Sequence, residues 1–253
     1  MKKFLMPLSS VLTLVLLMIG TACAAETALT KREQIKADVM REMGKDLAAP
    51  QDAKAGLETR HCIDGRAVKD FPGELVEFWG NLECFYCQIS QPVLAQRANP
   101  DICIVVRHIP TPEYGESMKK ALAYVALHEF SPNAANRFWQ NVEPKTELAI
   151  PMPLEGAFLS AVQEAAIPSD KLSSALTGAA TQIVNTDLRA AQGRIFSTPT
   201  YVLAGIRFGS CDFKAIDLPA VLHLAKQARA GDEKAKARIV DVITNGRMGE
   251  KML

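Results

Sequence analysis

The sequence predicts an α/β fold whose strands are split into two groups by a long helical insertion. Three observations predict it. Two apolar, β-rich runs, Leu75-Val76-Glu77-Phe78-Trp79 and Ile102-Cys103-Ile104-Val105-Val106, flank a single helical segment. Strand, helix, strand in that order makes a βαβ unit, hence parallel strands. From Ser117 to Ala191 the apolar residues recur at helical spacing. Then Tyr201-Val202-Leu203 and Ile206-Arg207-Phe208 lie either side of Ala204-Gly205, the pattern of an antiparallel hairpin.

The chain opens on an export signal. Lys2 and Lys3 precede an apolar stretch that includes Leu12 to Ile19, and Ala22-x-Ala24 suits cleavage before Ala25. The stretch is shorter than the roughly 20 residues of a membrane span, and nothing later approaches that length. A soluble periplasmic protein is expected, with residues 1–24 removed. Cys23 offers a second reading, as the acceptor of a lipid anchor after Gly20-Thr21-Ala22, although Gly20 stands where such sites usually carry Leu. Removing Lys2 and Lys3 from 29 basic residues against 28 acidic ones leaves a net charge of −1. That balance gives no hint of nucleic acid or a membrane surface as partner. Of the 6 cysteines, Cys23 goes with the signal; the odd number left predicts two pairs at most and one leftover thiol in an oxidising compartment.

Thr30 and Glu33 form a capping box before a helix from Lys31 to Leu47. Ile35, Val39, Met43 and Leu47 make one apolar stripe on it, which must be buried on the chain's own domain or against another copy in a homo-oligomer. Pro50 and Gly56 mark a linker. Residues 25–57 thus read as helix and linker, 58–112 as the first part of the core, 113–193 as the inserted helical domain, and 194–253 as the second part with C-terminal helices. His61 to Val68 reads as a short first strand. The helix after Cys84 carries Ile89, Val93 and Leu94 on one side, with Pro92 inside it to kink it. In the insertion, Met118, Leu122, Val125 and Phe130 mark one amphipathic helix, and Phe138, Trp139 and Val142 extend an aromatic surface. Leu154 to Ala166, Lys171 to Ala180 and Gln182 to Ala191 read as further helices, and Leu218 to Ala230 and Lys234 to Ile243 close the chain.

The chemistry concentrates in Cys84-Phe85-Tyr86-Cys87, at the start of the first core helix. Two cysteines spaced i, i+3 there are close enough for a small disulfide ring. The first faces unsatisfied backbone N–H groups and the positive end of the helix dipole, which stabilise a thiolate. Cys84 is therefore the expected nucleophile. Cys87, one turn inside the helix, is the expected resolving thiol, attacking the mixed disulfide. Phe85-Tyr86 supplies no histidine, so thiolate stabilisation weaker than in a Cys-Pro-His-Cys site is expected. Covalent haem needs His where Gln88 stands. Zinc needs two further ligands, and Cys62, Cys103, Cys211, His61 and His108 occur only as scattered singles. A purely structural Cys84–Cys87 bridge would constrain the unfolded chain little. There is no G-x-G-x-x-G and no phosphate loop, so no organic cofactor is expected.

Taken together, Val76-Glu77-Phe78-Trp79, Cys84-x-Tyr86-Cys87, the helical insertion and Ser197-Thr198-Pro199-Thr200-Tyr201-Val202 resemble the exported DsbA-like branch of the thioredoxin fold over residues 60–230. The resemblance implies a thioredoxin core with an inserted all-helical domain and an N-terminal helical extension. It also implies a cis Pro199 against the cysteines, with Thr198 backbone groups pairing with a bound substrate strand. Tyr86 before the second cysteine and Thr198 before the proline are similar to the DsbC/DsbG/ScsC-type isomerases, whose N-terminal segments oligomerise.

The function that the resemblance implies is that of a periplasmic thiol:disulfide oxidoreductase acting on unfolded or misoxidised exported proteins. Isomerase or reductase is favoured over a dithiol oxidase, and a membrane redox partner would recycle it. An alternative of another class is a non-catalytic chaperone or assembly factor of a secretion or pilus system. Glu77 matches a family carboxylate near the buried cysteine that shuttles its proton; the bland alternative is a solvated edge-strand carboxylate. A first strand beside the third implies a Cys62–Cys103 pair with Cys211 free, unless Cys211 pairs with one of them. Two departures bear on redox potential rather than chemistry. Neither Gly nor Pro follows Cys84, and Gly80-Asn81-Leu82-Glu83 runs one residue longer than in the relatives.

Overall fold

A computed structural model describes residues 30–49, 56–111, 115–142, 152–209 and 217–248. The export signal, Cys23 and Cys211 lie outside these residues. The sheet has four strands, β1 (Glu74–Gly80), β2 (Ile102–His108), β3 (Thr200–Leu203) and β4 (Ile206–Gly209), in the order β2-β1-β3-β4. β1 and β2 are parallel, with Val76 opposite Ile104, and helix α2 (Phe85–Arg97) makes the crossover that such a pair requires. β3 runs antiparallel to β1, Phe78 facing Tyr201, and β4 antiparallel to β3. β1 is thus interior, which explains its run of apolar residues on both faces. The β3–β4 turn has Ala204 at φ 47° and Gly205 at φ 78°, the pair of positive angles that a tight two-residue hairpin demands. Gly205 is needed for space as well, because a Cβ there would lie 2.5 Å from the Arg229 guanidinium.

The expected first strand does not form. His61 makes only an isolated bridge to Ala67, and Val68–Asp70 is a 3-10 turn. The chain reverses at Gly65 (φ 92°), where the Gly65 N–H donates to the Cys62 carbonyl and the Cys62 N–H to that of Arg66. A straight strand cannot pass through that reversal. The implied disulfide is nevertheless present, Cys62 to Cys103, with its sulfurs inside a cluster of Leu57, Val68, Phe71, Leu75 and Val105. The bridge spans 41 residues of chain. Replacing both cysteines by alanine should lower unfolding free energy by about 4 kcal/mol, from the entropy of the loop it closes, measured by urea titration.

Helix α1, residues 30–48, precedes the sheet. Its stripe lies inside the chain: Val39 and Met43 are buried in the main core, with Ile35 and Leu47 packed against it. Polar contacts fix the seat. Lys36 and Glu42 pair with Asp241 and Arg247, while Arg207 binds Asp46 at 2.7 Å. Arg229 also donates to the carbonyls of Asp46, Leu47 and Ala49. The stripe therefore packs on its own domain. Two helices complete that side, α8 (Leu218–Arg229) and α9 (Glu233–Met248).

Between β2 and β3 run α3 (Ser117–Phe130), α4 (Pro132–Val142), α5 (Leu154–Glu164), α6 (Ser169–Ala175) and α7 (Thr181–Ala191). A π turn, Leu176–Ala180, makes α6 and α7 one continuous rod where the sequence predicts two helices. On α3 the buried face is Ala121, Tyr124, Val125 and Leu127, whereas Met118 and Phe130, expected on the apolar side, are exposed. Tyr124 sets that face by packing edge-on against Trp139, ring centroids 5.2 Å apart. α7 closes the opposite side of the sheet from the Val76 and Phe78 side chains, its Ala191 lying with Trp79 and Val202.

Candidate active site

β1 delivers the chain to a short loop, Gly80 to Glu83, whose anchor is Asn81. This amide is 3 % exposed, donates to Thr111 Oγ1 at 3.0 Å, and accepts from Ser117 Oγ and from the Glu83 N–H. Ser117 is the first residue of α3, so the loop is tied to the helical insertion. Lys120 reinforces the tie with an ion pair to Glu83 at 3.1 Å.

Cys84 follows as the N-cap of α2, in extended conformation, with the Cys87 and Gln88 amides donating to its carbonyl. Cys84 and Cys87 are both free thiols, Cys84 half-buried and Cys87 at 0 % exposure. The Cys84 thiol donates to the Thr198 carbonyl at 3.3 Å. The Thr198–Pro199 bond is cis, and Pro199 is buried. Cys84, Cys87, Thr198 and Pro199, separated by more than a hundred residues, are thus brought to one place.

The two sulfurs are electrostatically unequal. Cys84 is lowered from near 9 to about 5, first by the hydrogen bond from the Cys87 thiol, then by the Thr198 side chain and the Cys87 and Tyr86 amides, against the opposing effect of burial. Cys87 is pushed up, first by burial and then by Cys84 itself. Titrating reduced protein at 240 nm should show one thiolate forming near pH 5 and the second only in alkali. Because the folded value of Cys84 is the lower one, its ionisation stabilises the reduced fold. That contribution is complete above pH 9 and is lost as pH falls through 5. Stability of the reduced protein relative to Cys84→Ser should accordingly rise across that window.

Glu77 lies on the interior strand rather than an edge, and its carboxylate pairs with Arg107 at 2.7 Å. Arg107 also stacks over Trp79 at 4.1 Å and binds Asp187 of α7 at 2.8 Å, and Asp187 pairs with Arg60 at 3.1 Å. His108, at the end of β2, is fully buried and held down to about 3 by loss of solvent. None of Asn81, Lys120, Arg60 or Asp187 is marked by a motif. Asp187 alone carries a local signal, a carboxylate in the apolar series Val184, Asp187, Ala191.

Around Cys84 the surface is aromatic. Phe85 and Tyr86 are 60 % and 66 % exposed, and Phe196, just before the cis-proline loop, is 79 % exposed. Side chains of this size left in water mark a contact surface. Among the described residues, no helix is long and apolar enough to cross a membrane.

No protein-family model matches the chain, and no curated protein matches it. Solved structures do. A linker-deletion variant of ScsC from Proteus mirabilis superposes with a TM-score of 0.52 at 17 % identity, over 84 % of this chain and 94 % of that one. The catalytic domain of Proteus mirabilis ScsC gives 0.50 at 18 % identity, over 74 % and 98 %. The likeness is one of architecture: this chain has the thioredoxin fold, with a helical domain inserted between the second and third strands of the sheet.

Proposed function

We propose that this chain is an exported thiol:disulfide oxidoreductase acting on cysteines of unfolded or misoxidised proteins in the periplasm, with isomerisation its favoured reaction. The observation that carries the reading is the division of labour between a half-buried, acidified Cys84 and a fully buried, protonated Cys87 beside Thr198-Pro199. The Cys84 thiolate attacks one sulfur of a client disulfide. That S–S bond breaks, a Cys84–client bond forms, and the second client sulfur leaves as a thiolate. In isomerisation another client thiolate then attacks the mixed disulfide and returns Cys84, with no net electron transfer. If Cys87 attacks first, the client leaves reduced by two electrons and Cys84–Cys87 is oxidised.

A stabilised Cys84 thiolate favours the dithiol form, which makes the protein a poor net reductant. A high Cys87 pKa delays resolution and gives the client time to rearrange. The same stabilisation supports a second reading, a dithiol oxidase that receives its disulfide from a membrane redox partner. Thr198 and Pro199 hold the client strand in either case, and Phe85, Tyr86 and Phe196 take its apolar side chains.

Expression of Cys87→Ser in the periplasm tests the reading, with Cys84→Ser/Cys87→Ser as control. Adducts that need Cys84 and vanish on reduction are expected. Their absence from folded, exported protein would return the chain to the non-catalytic class. Reshuffling of a scrambled substrate by the dithiol form alone distinguishes isomerase from oxidase. Glu77 is assigned the proton of Cys87, so Glu77→Gln should slow resolution and leave the first attack unchanged. Unchanged resolution in stopped flow would make Glu77 only the partner of Arg107.

A further inference from the structure

Beside the cis-proline loop lies a cavity of about 310 Å³ lined by Glu42, Arg194, Phe196, Ser197, Thr200, Arg207, Gly209 and Arg247. Its walls come from α1, α9, the edge strand β4 and the segment that leads into Thr198. Two of its three arginines are matched: Arg207 by Asp46 at 2.7 Å and Arg247 by Glu42 at 2.6 Å. Arg194 is exposed, and its guanidinium has no hydrogen-bond or ion-pair partner among the described residues. Asp46, already bound to Arg207, attracts it without a contact. Its backbone is nevertheless fixed, because its carbonyl accepts from Arg207. The cavity therefore holds one unmatched positive charge on a braced segment.

Its position gives that charge a use. Ser197 and Thr200 flank Thr198-Pro199, and the Thr198 carbonyl touches the nucleophilic sulfur. An extended client advances about 3.3 Å per residue, so two or three residues from its reactive cysteine cover roughly 7–10 Å. Resting on the oxidoreductase reading above, we propose that this cavity binds a carboxylate on the client, two or three residues from the cysteine that Cys84 attacks. Arg194 supplies the unmatched charge, and α1 supplies a wall of the specificity site.

Peptides carrying one cysteine as its 2-thiopyridyl disulfide test this, with Glu, Gln or Lys two or three residues to either side. Cys84 attacks the peptide sulfur, the mixed disulfide forms, and neutral thiopyridone leaves and is read by absorbance. The Glu peptide should react about fivefold faster than Gln at low salt, the scale of one partly exposed ion pair. The ratio should shrink at about 1 M salt. Arg194→Gln should remove the preference while leaving reaction with the Gln peptide unchanged, and Arg194→Glu should make Lys the fastest. Oxidised glutathione and its esters form a second arm; discrimination confined to that arm would place the carboxylate on a small thiol and overturn the client assignment. Equal rates for all peptides, with Cys84→Ser silent, would overturn the proposal and leave the enzyme reading standing. No reaction with any disulfide would overturn both.

Discussion

Cys84→Ser is expected to reduce disulfide exchange to the uncatalysed rate while the fold and the Cys62–Cys103 bridge persist. The reason is not simply that Cys84 ionises easily. At pH 7 a thiol of pKa about 5 is almost wholly thiolate, against a few per cent for a free cysteine near 8.5. That gain, roughly 1.5 logarithmic units, is cancelled by the fall in nucleophilicity, whose slope of about 0.4–0.5 per pKa unit removes a similar amount. The advantage of the site lies in departure: when a second thiol attacks the mixed disulfide, Cys84 leaves as a stabilised anion. Cys87→Ala should therefore keep the first attack within about tenfold, lose resolution, and raise the Cys84 pKa, because the Cys87 thiol is the largest contributor to lowering it. A Cys84 titration in Cys87→Ala that still falls near 5 would show that other donors suffice.

Asp187→Ala should be the most damaging substitution far from the cysteines. Asp187 is fully buried and binds Arg60 at 3.1 Å, Arg107 at 2.8 Å and the His108 N–H at 2.9 Å. Arg60 and Arg107 are themselves buried, and burial weakens the Arg60 charge as Asp187 restores it. Deleting the carboxylate strands Arg60 as an unpaired interior cation and leaves Arg107 with Glu77 alone. Breaking a buried pair this way costs about 3–5 kcal/mol, a large part of a typical domain stability. Urea titration of Asp187→Ala against wild type measures it, and a loss below about 1 kcal/mol would mean that water replaces the carboxylate. The Cys84 titration should stay near pH 5 in the folded fraction, since α7 lies across the sheet from α2.

The parts of the molecule written in local pattern were legible in the sequence. The β1–α2–β2 unit, the β3–β4 hairpin and the cysteine pair at a helix start each depend on residues close in the chain. The Cys62–Cys103 bridge and the cis Pro199 came instead from the resemblance. The strand expected at His61 to Val68 failed because Gly65 reverses the chain, and no apolar alternation reveals a backbone angle. The stripe of Ile35, Val39, Met43 and Leu47 announces that something must cover it without saying what. Its cover is formed by residues some two hundred positions away. The ion network of Arg60, Glu77, Arg107 and Asp187 was invisible for the same reason, its members being scattered over four separate segments.

The seat of α1 has a consequence for how the chain matures. Arg32 bonds to Asn245 across 213 residues of sequence, and Arg247 to Glu42 across 205. A chain synthesised from its N-terminus presents Val39 and Met43 early and the α9 residues bonded to their helix last. The leading helix must wait, its apolar face wet, until nearly the whole polypeptide has been made. Contacts this distant close slowly. The late event is therefore the docking of the first helix onto the last, and with it the wall of the arginine-lined cavity, which is completed only when synthesis ends.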